Sequence, residues 1–139
     1  MSFVRVWIHL VFFTKNREPY LTKEIRYSLI EHIKSNAKKK DVFLRTVNGW
    51  AEHIHCLISL GKNQEIAKVA MLLKGESAHW LNQQLYFKGK FYWQDDYFAV
   101  SVSESMVEAV EDYIKKQEEH HASKPFSEEL EFFARKYRW

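Results

Sequence analysis

The stretch that decides the fold is Glu52-His53-Ile54-His55-Cys56-Leu57-Ile58-Ser59-Leu60. Side chains on a strand alternate with period two. Ile54, Cys56, Ile58 and Leu60 therefore share one face, and His53, His55, Leu57 and Ser59 take the other. A lone histidine on a strand is usually structural. Two of them at i and i+2 within an apolar run are a different matter, because burying paired polar rings without partners is costly. Two imidazoles on one face are also the donor pair that a divalent metal takes.

Working outward, residues 43–47 read as a strand, and Asn48-Gly49 is the turn signal of a hairpin leading into residues 52–60. Gly61 ends that third strand. A helix over residues 64–83 follows, with Ile66, Val69, Leu73, Ser77 and Trp80 inward. On the other side, residues 3–13 form a first strand apolar on both faces, and residues 16–19 carry turn chemistry. Thr22 is placed to cap a helix whose inner face is Ile25, Leu29, Ile33 and Ala37. After an aromatic, irregular stretch at 85–96, residues 97–102 form a fourth strand. Ser103 then caps a long last helix with Met106, Val107, Val110 and Ile114 as its apolar stripe. The order β-α-β-β-α-β plus a terminal helix defines an α+β class, a ferredoxin-like or RRM-like antiparallel sheet.

On that last helix, Tyr113 and Gln117 stand at i and i+4, one above the other, and His120 falls in the same sector at the edge of the stripe. A tyrosine at such a boundary keeps its ring packed and its hydroxyl exposed. Should this face meet the histidine strand, two imidazoles and an amide oxygen would hold a metal beside a phenol. A metal-polarised electrophile next to a nucleophile is a catalytic arrangement.

Composition narrows the field. The chain has 139 residues, 46% of them hydrophobic and 16% aromatic, enough for one domain with a substantial core. Cys56 is the sole cysteine, so no internal disulfide or Cys-rich zinc site can form. A buried thiol of this kind fits a reducing cytoplasm. The N-terminus reads as lacking a signal peptide, because Arg5 and His9 interrupt the apolar run, and no membrane span is expected. The net charge of +3 is weak, but Lys38-Lys39-Lys40, Lys15 with Arg17, and Lys88 with Lys90 concentrate it locally.

The segment Glu52-His53-Ile54-His55-Cys56-Leu57-Ile58 resembles the His-hydrophobic-His (HUH) strand of the single-tyrosine transposases, and Tyr113-Ile114-Lys115-Lys116-Gln117 resembles their catalytic helix. The match extends to His9-Leu10-Val11-Phe12-Phe13-Thr14-Lys15, Leu73-Lys74-Gly75-Glu76-Ser77, and Tyr92-Trp93-Gln94 with Tyr97-Phe98, in the family's order from about residue 5 to 121. It takes in small insertion-sequence transposases that move as single-stranded DNA and their relatives acting on repetitive palindromic elements. The transposase domain would span residues 1–121, with residues 122–139 an aromatic tail packed on it or on a second subunit.

The resemblance implies His53, His55 and Gln117 as metal ligands and Tyr113 as the nucleophile on a phosphodiester of single-stranded or hairpin DNA. It implies a 5′-phosphotyrosine, a released 3′-hydroxyl and resealing at a new junction, carried out by a homodimer. Energy held in the phosphotyrosine makes a nucleotide cofactor unnecessary, in keeping with the absence of a Gly-rich phosphate loop. The family implies magnesium or manganese. Imidazoles favour softer ions, so manganese satisfies both considerations best, and ligand chemistry alone also admits zinc. His120 could move a proton, although a cation opposing the helix dipole is its plainer reading. His9 could sit near the site from the first strand, although an ordinary half-buried histidine is its plainer reading.

Lys15, Arg17, Lys38, Lys39, Lys40 and Lys74 are candidate phosphate contacts, and Trp93, Tyr92 and Phe91 candidate stacking platforms for unpaired bases. Two positions depart from the family. Glu52 stands where Asp is expected, and Asp95-Asp96 stand where a basic residue or glycine is expected, which would repel phosphates at that loop. The rival reading is a domesticated relative that binds palindromic single-stranded DNA with little or no turnover. An RNA-recognition domain is disfavoured because histidines occupy the third strand where its stacking aromatics would stand.

Overall fold

The computed structural model describes residues 1–119. Four strands, β1 (Val6–Thr14), β2 (Phe43–Trp50), β3 (His53–Leu60) and β4 (Trp93–Val102), form one antiparallel sheet in the order β2-β3-β1-β4. Helices α1 (Lys23–Lys39) and α2 (Ile66–Gln83) connect them, and α3 (Val107–Lys115) follows β4. This is the ferredoxin-like, α+β arrangement expected from the element order.

The two faces of β3 sort as its alternation requires. Ile54, Cys56 and Ile58 join Leu10, Phe12, Leu29, Ile33, Val69 and Leu73 in the main core beneath α1 and α2. On the opposite face Leu57 packs with Trp7, Val102, Val107, Val110 and Ile114 under α3. Both central strands are covered on both sides, which is why their sequences read as nearly continuous apolar runs. Cys56 is a free, fully buried thiol, and burial pushes its pKa far above the ordinary thiol range.

Several boundaries differ from the sequence expectation. Asn48-Gly49 does not form the hairpin turn. Both residues lie inside β2, paired with His55 and Ile54, and the turn falls at Ala51-Glu52. Gly49 is glycine for a different reason. A Cβ there would lie 2.3 Å from the His53 carbonyl oxygen and 2.8 Å from Ile54 Cδ1. Close approach of neighbouring strands, not a left-handed turn, sets the residue.

The fourth strand begins earlier than expected, at Trp93, and α3 is interrupted after nine residues. A single 3-10 turn (Glu104–Met106) separates Ser103 from α3, and Ser103 makes no side-chain cap bond. α3 ends at Lys115, with Lys116 at φ −99° and ψ 27°. Residues 117–119 return to helical geometry. The interruption is local, so Tyr113 and Gln117 keep their shared side. The expected tail at 122–139 and His120 lie outside the described residues.

Gly49→Ala is expected to destabilise the protein by about 2 kcal/mol or more through forced strand separation. Gly75→Ala, in the middle of α2 with nothing within 4 Å of its Cβ, should stabilise it by about 0.5–1 kcal/mol. Urea unfolding of the two variants checks both signs.

Candidate active site

The site is built on the α3 face of the sheet, at the end where β3 begins. His53 and His55 are both fully buried, with ring centroids 4.9 Å apart and planes at 79°. His53 Nδ1 donates to Glu52 Oε1 at 2.9 Å, since a carboxylate can only accept. That leaves His53 Nε2 directed at Gln117 Oε1, 3.2 Å away. The Gln117 amide is oriented by its Nε2, which donates weakly to the Tyr113 carbonyl at 3.4 Å. His55 Nδ1 is bonded to His9 Nε2 at 2.8 Å, so its coordinating nitrogen would be Nε2. The Tyr113 ring stands edge-on to His55, centroids 6.0 Å apart.

The separation of two of these donors is one a divalent ion would accept. Donors about 2.1 Å from an octahedral ion lie about 3.0 Å apart at right angles, and those around tetrahedral zinc about 3.3 Å apart. The 3.2 Å between His53 Nε2 and Gln117 Oε1 suits either geometry. A carboxylate on the far nitrogen of a ligating histidine is also the usual outer support of a metal site. Glu52, which stands where the resemblance expects Asp, would supply it. Among the described residues no group of three His, Cys, Asp or Glu side chains is placed to hold a metal. The residues that would hold an ion here are His53, His55 and Gln117, two imidazoles and an amide oxygen.

What brings α3 here is a row of polar latches that periodicity alone does not reveal. Glu111 accepts from Arg45 Nε and from Thr46 Oγ1, both at 2.8 Å. Asn48 Nδ2 donates to the Lys115 carbonyl at 3.1 Å, satisfying a group that the helix end leaves open. Beyond the interruption, Glu118 Oε1 accepts from Tyr27 Oη at 2.7 Å and from Arg26 at 3.1 Å. Arg26 is itself buried, its guanidinium 5.0 Å from the Trp50 ring centroid. Tyr113 and Gln117 are thus clamped between an anchor on β2 and an anchor on α1.

The structure separates the other candidates. Lys15 and Arg17 lie at the His53 end of the sheet in a 3-10 turn (Lys15–Arg17), where Asn16 and Arg17 adopt left-handed φ of 58° and 53°. Gln94 Oε1 accepts from the Asn16 amide at 3.0 Å and holds that turn. The Arg17 guanidinium lies over Phe13, whose strand partner is His53. Lys38, Lys39 and Lys40 are at the opposite end, beside the start of β2.

Lys74 is on α2, across the sheet from the histidines. Its ammonium donates to the Gln94 and Asp95 carbonyls at 2.7 and 2.8 Å, and burial lowers its pKa. It braces β4 and is not brought to the site. Trp93 corrects a further expectation. It is buried in the main core, bonded to Ser77 Oγ at 2.9 Å and wedged against Phe12 and Phe91. Only Tyr92 of that trio is exposed, its ring between the ammoniums of Lys15 and Lys90. His9 is likewise fully buried and part of the site, not half-buried beside it.

The fold of this chain is shared with solved transposases. A candidate transposase from Deinococcus radiodurans R1 superposes with a TM-score of 0.67 at 22% identity, over 84% of this chain and 93% of that one. The structure of a REP-associated tyrosine transposase bound to a REP hairpin superposes with a TM-score of 0.65 at 16% identity, over 87% and 72%. These likenesses establish the fold. Residues 2–117 match the model of the IS200-like transposases, and the chain belongs to that family. A comparison with curated proteins finds no match. Among the described residues no helix is long and apolar enough to cross a membrane.

The Glu111 and Glu118 carboxyls are both held below the ordinary carboxylate range. For Glu111 the chief cause is its bond to Arg45, and for Glu118 its bond to Tyr27. A depressed folded-state pKa contributes stability above the unfolded value, about 4.3. That stability is lost as pH falls through the folded value. Acid titration below that point should loosen α3, and the E111Q/E118Q double variant should lose part of the acid dependence. Stability against pH, followed by circular dichroism, checks it.

Proposed function

We propose that this transposase cuts and rejoins single-stranded DNA through Tyr113, with a divalent metal held by His53, His55 and Gln117. The observation that carries the reading is the convergence, within one chain, of His53 Nε2 and Gln117 Oε1 at 3.2 Å with the Tyr113 ring against His55. A bound magnesium or manganese ion would neutralise charge on the scissile phosphate and polarise it toward attack.

The remaining steps belong to the chain's own residues. Tyr113 is half-buried, and its helix is anchored on both sides, so the phenol is held in place rather than swinging freely. Its oxygen forms a bond to phosphorus as the bond to the 3′-oxygen breaks. The phenolic proton is given up and the departing oxygen takes one, leaving a 5′-phosphotyrosine and a 3′-hydroxyl. Attack by a 3′-hydroxyl on that phosphotyrosine reverses the exchange, returns the phenol and seals the strand. No nucleotide is consumed. His120 remains a candidate for moving the proton.

Hairpin DNA is the proposed ligand, in keeping with the hairpin bound by the REP-associated relative. Lys15, Arg17 and Tyr92 gather at the catalytic end of the sheet and supply backbone charge and a stacking face for unpaired bases. The chain is proposed to act as a homodimer in the cytoplasm, each Tyr113 serving the histidines of its own subunit.

The test incubates the protein with labelled hairpin oligonucleotides and manganese, then resolves covalent adducts on denaturing gels. Wild type should form an adduct that vanishes in Tyr113→Phe and in chelator. His53→Ala should lower its rate by at least about tenfold. Tight hairpin binding with no adduct across a broad pool would favour the non-catalytic, domesticated reading.

A further inference from the structure

The two histidines of the site are supported differently. Glu52 can only accept, so it fixes His53 as the tautomer with its proton on Nδ1 and a lone pair on Nε2. His55 is bonded instead to another imidazole, His9 Nε2, at 2.8 Å. One proton lies between those two nitrogens, and either ring can own it. If His55 owns it, its Nε2 presents a lone pair to the site. If His9 owns it, the proton of neutral His55 sits on Nε2, and that nitrogen cannot coordinate a metal.

We infer that His9 is a positioning residue whose Nε2 accepts the His55 Nδ1 proton, and so fixes His55 as the tautomer that presents a lone pair on Nε2 to the metal site. Its placement serves that role. His9 is fully buried on β1, opposite Leu57, with Phe98 edge-on at 6.4 Å. The ring is confined by packing, so its orientation is set before any ion arrives. The inference rests on the function proposed above, because a metal on His55 Nε2 requires the shared proton to sit on His55 Nδ1.

Long-range proton–nitrogen spectra of nitrogen-15-labelled protein, without metal and in alkaline buffer, distinguish the two neutral tautomers. Wild-type His55 should carry its proton on Nδ1. In His9→Leu the His55 proton should move to Nε2, and manganese affinity, read by electron paramagnetic resonance, should fall by about tenfold or more. His9→Gln offers an amide oxygen that accepts the same bond, and should recover most of that affinity. Leu57→Val, a packing change beside His9, should leave the tautomer and the affinity near wild type. Thermal unfolding confirms that each variant is folded.

A wild-type His55 protonated on Nε2 would overturn the inference, as would a His9→Leu variant with unchanged tautomer and affinity. An equal loss in Leu57→Val would reduce His9 to packing. Wild-type protein that binds no manganese would instead overturn the metal reading, while the tautomer comparison still decides the role of His9.

Discussion

Two imidazoles buried side by side in the middle of a sheet impose the constraint on which the rest of this structure depends. Each ring carries two nitrogens, and a buried polar atom left unsatisfied costs about 1–3 kcal/mol. The sheet's own ladder uses main-chain groups and offers the rings nothing. Neighbours have to come from elsewhere: Glu52 from the β2–β3 turn bonds His53 Nδ1, His9 from β1 bonds His55 Nδ1, and Gln117 from beyond α3 sets its amide oxygen beside the His53 Nε2 lone pair, where a metal would be held. Three separate parts of the chain are thereby tied to one strand, and displacing any of them exposes a polar group to an apolar surround. A site so supported is rigid before substrate arrives, which is where an enzyme gains most from electrostatics.

The same requirement explains the character of α3. It is only nine residues long, and a helix of that length is marginal on its own. Its apolar stripe covers Leu57, Trp7 and Val102, but the register along the sheet is set by polar contacts. Arg45 and Thr46 hold Glu111, Asn48 closes the helix end, and Arg26 with Tyr27 holds Glu118. Burial gives adhesion without direction, and hydrogen bonds supply the direction. The interruption at Lys116 lets the backbone adjust so that Gln117 turns inward while Lys115 and Lys116 stay exposed.

Some features differ from what the local sequence pattern predicts, for identifiable reasons. Asn-Gly is a strong turn signal because both residues tolerate left-handed backbone, yet here Gly49 answers a steric demand from the neighbouring strand and Asn48 caps a helix more than sixty residues away. Trp93 resembles a stacking platform in a string of aromatics, but its indole N–H finds Ser77 on α2, and that partner commits it to the core. Lys74 reads as a mobile cation until two strand carbonyls are found on its ammonium. In each case the deciding partner lies far away in sequence, where no local pattern can point to it.

By itself the sequence determined the element order, the ferredoxin-like sheet, the division of β3 into a core face and a histidine face, and the pairing of Tyr113 with Gln117. These are legible because they depend on periodicity, which is a local property of the chain. Only the tertiary structure decided that the two faces meet within one chain, that His9 and Glu52 bond the rings of His55 and His53, and that Arg26, Asn48 and Glu111 hold the tyrosine helix in place. Those outcomes depend on distances between residues far apart in sequence, and such distances exist only once the chain has closed on itself.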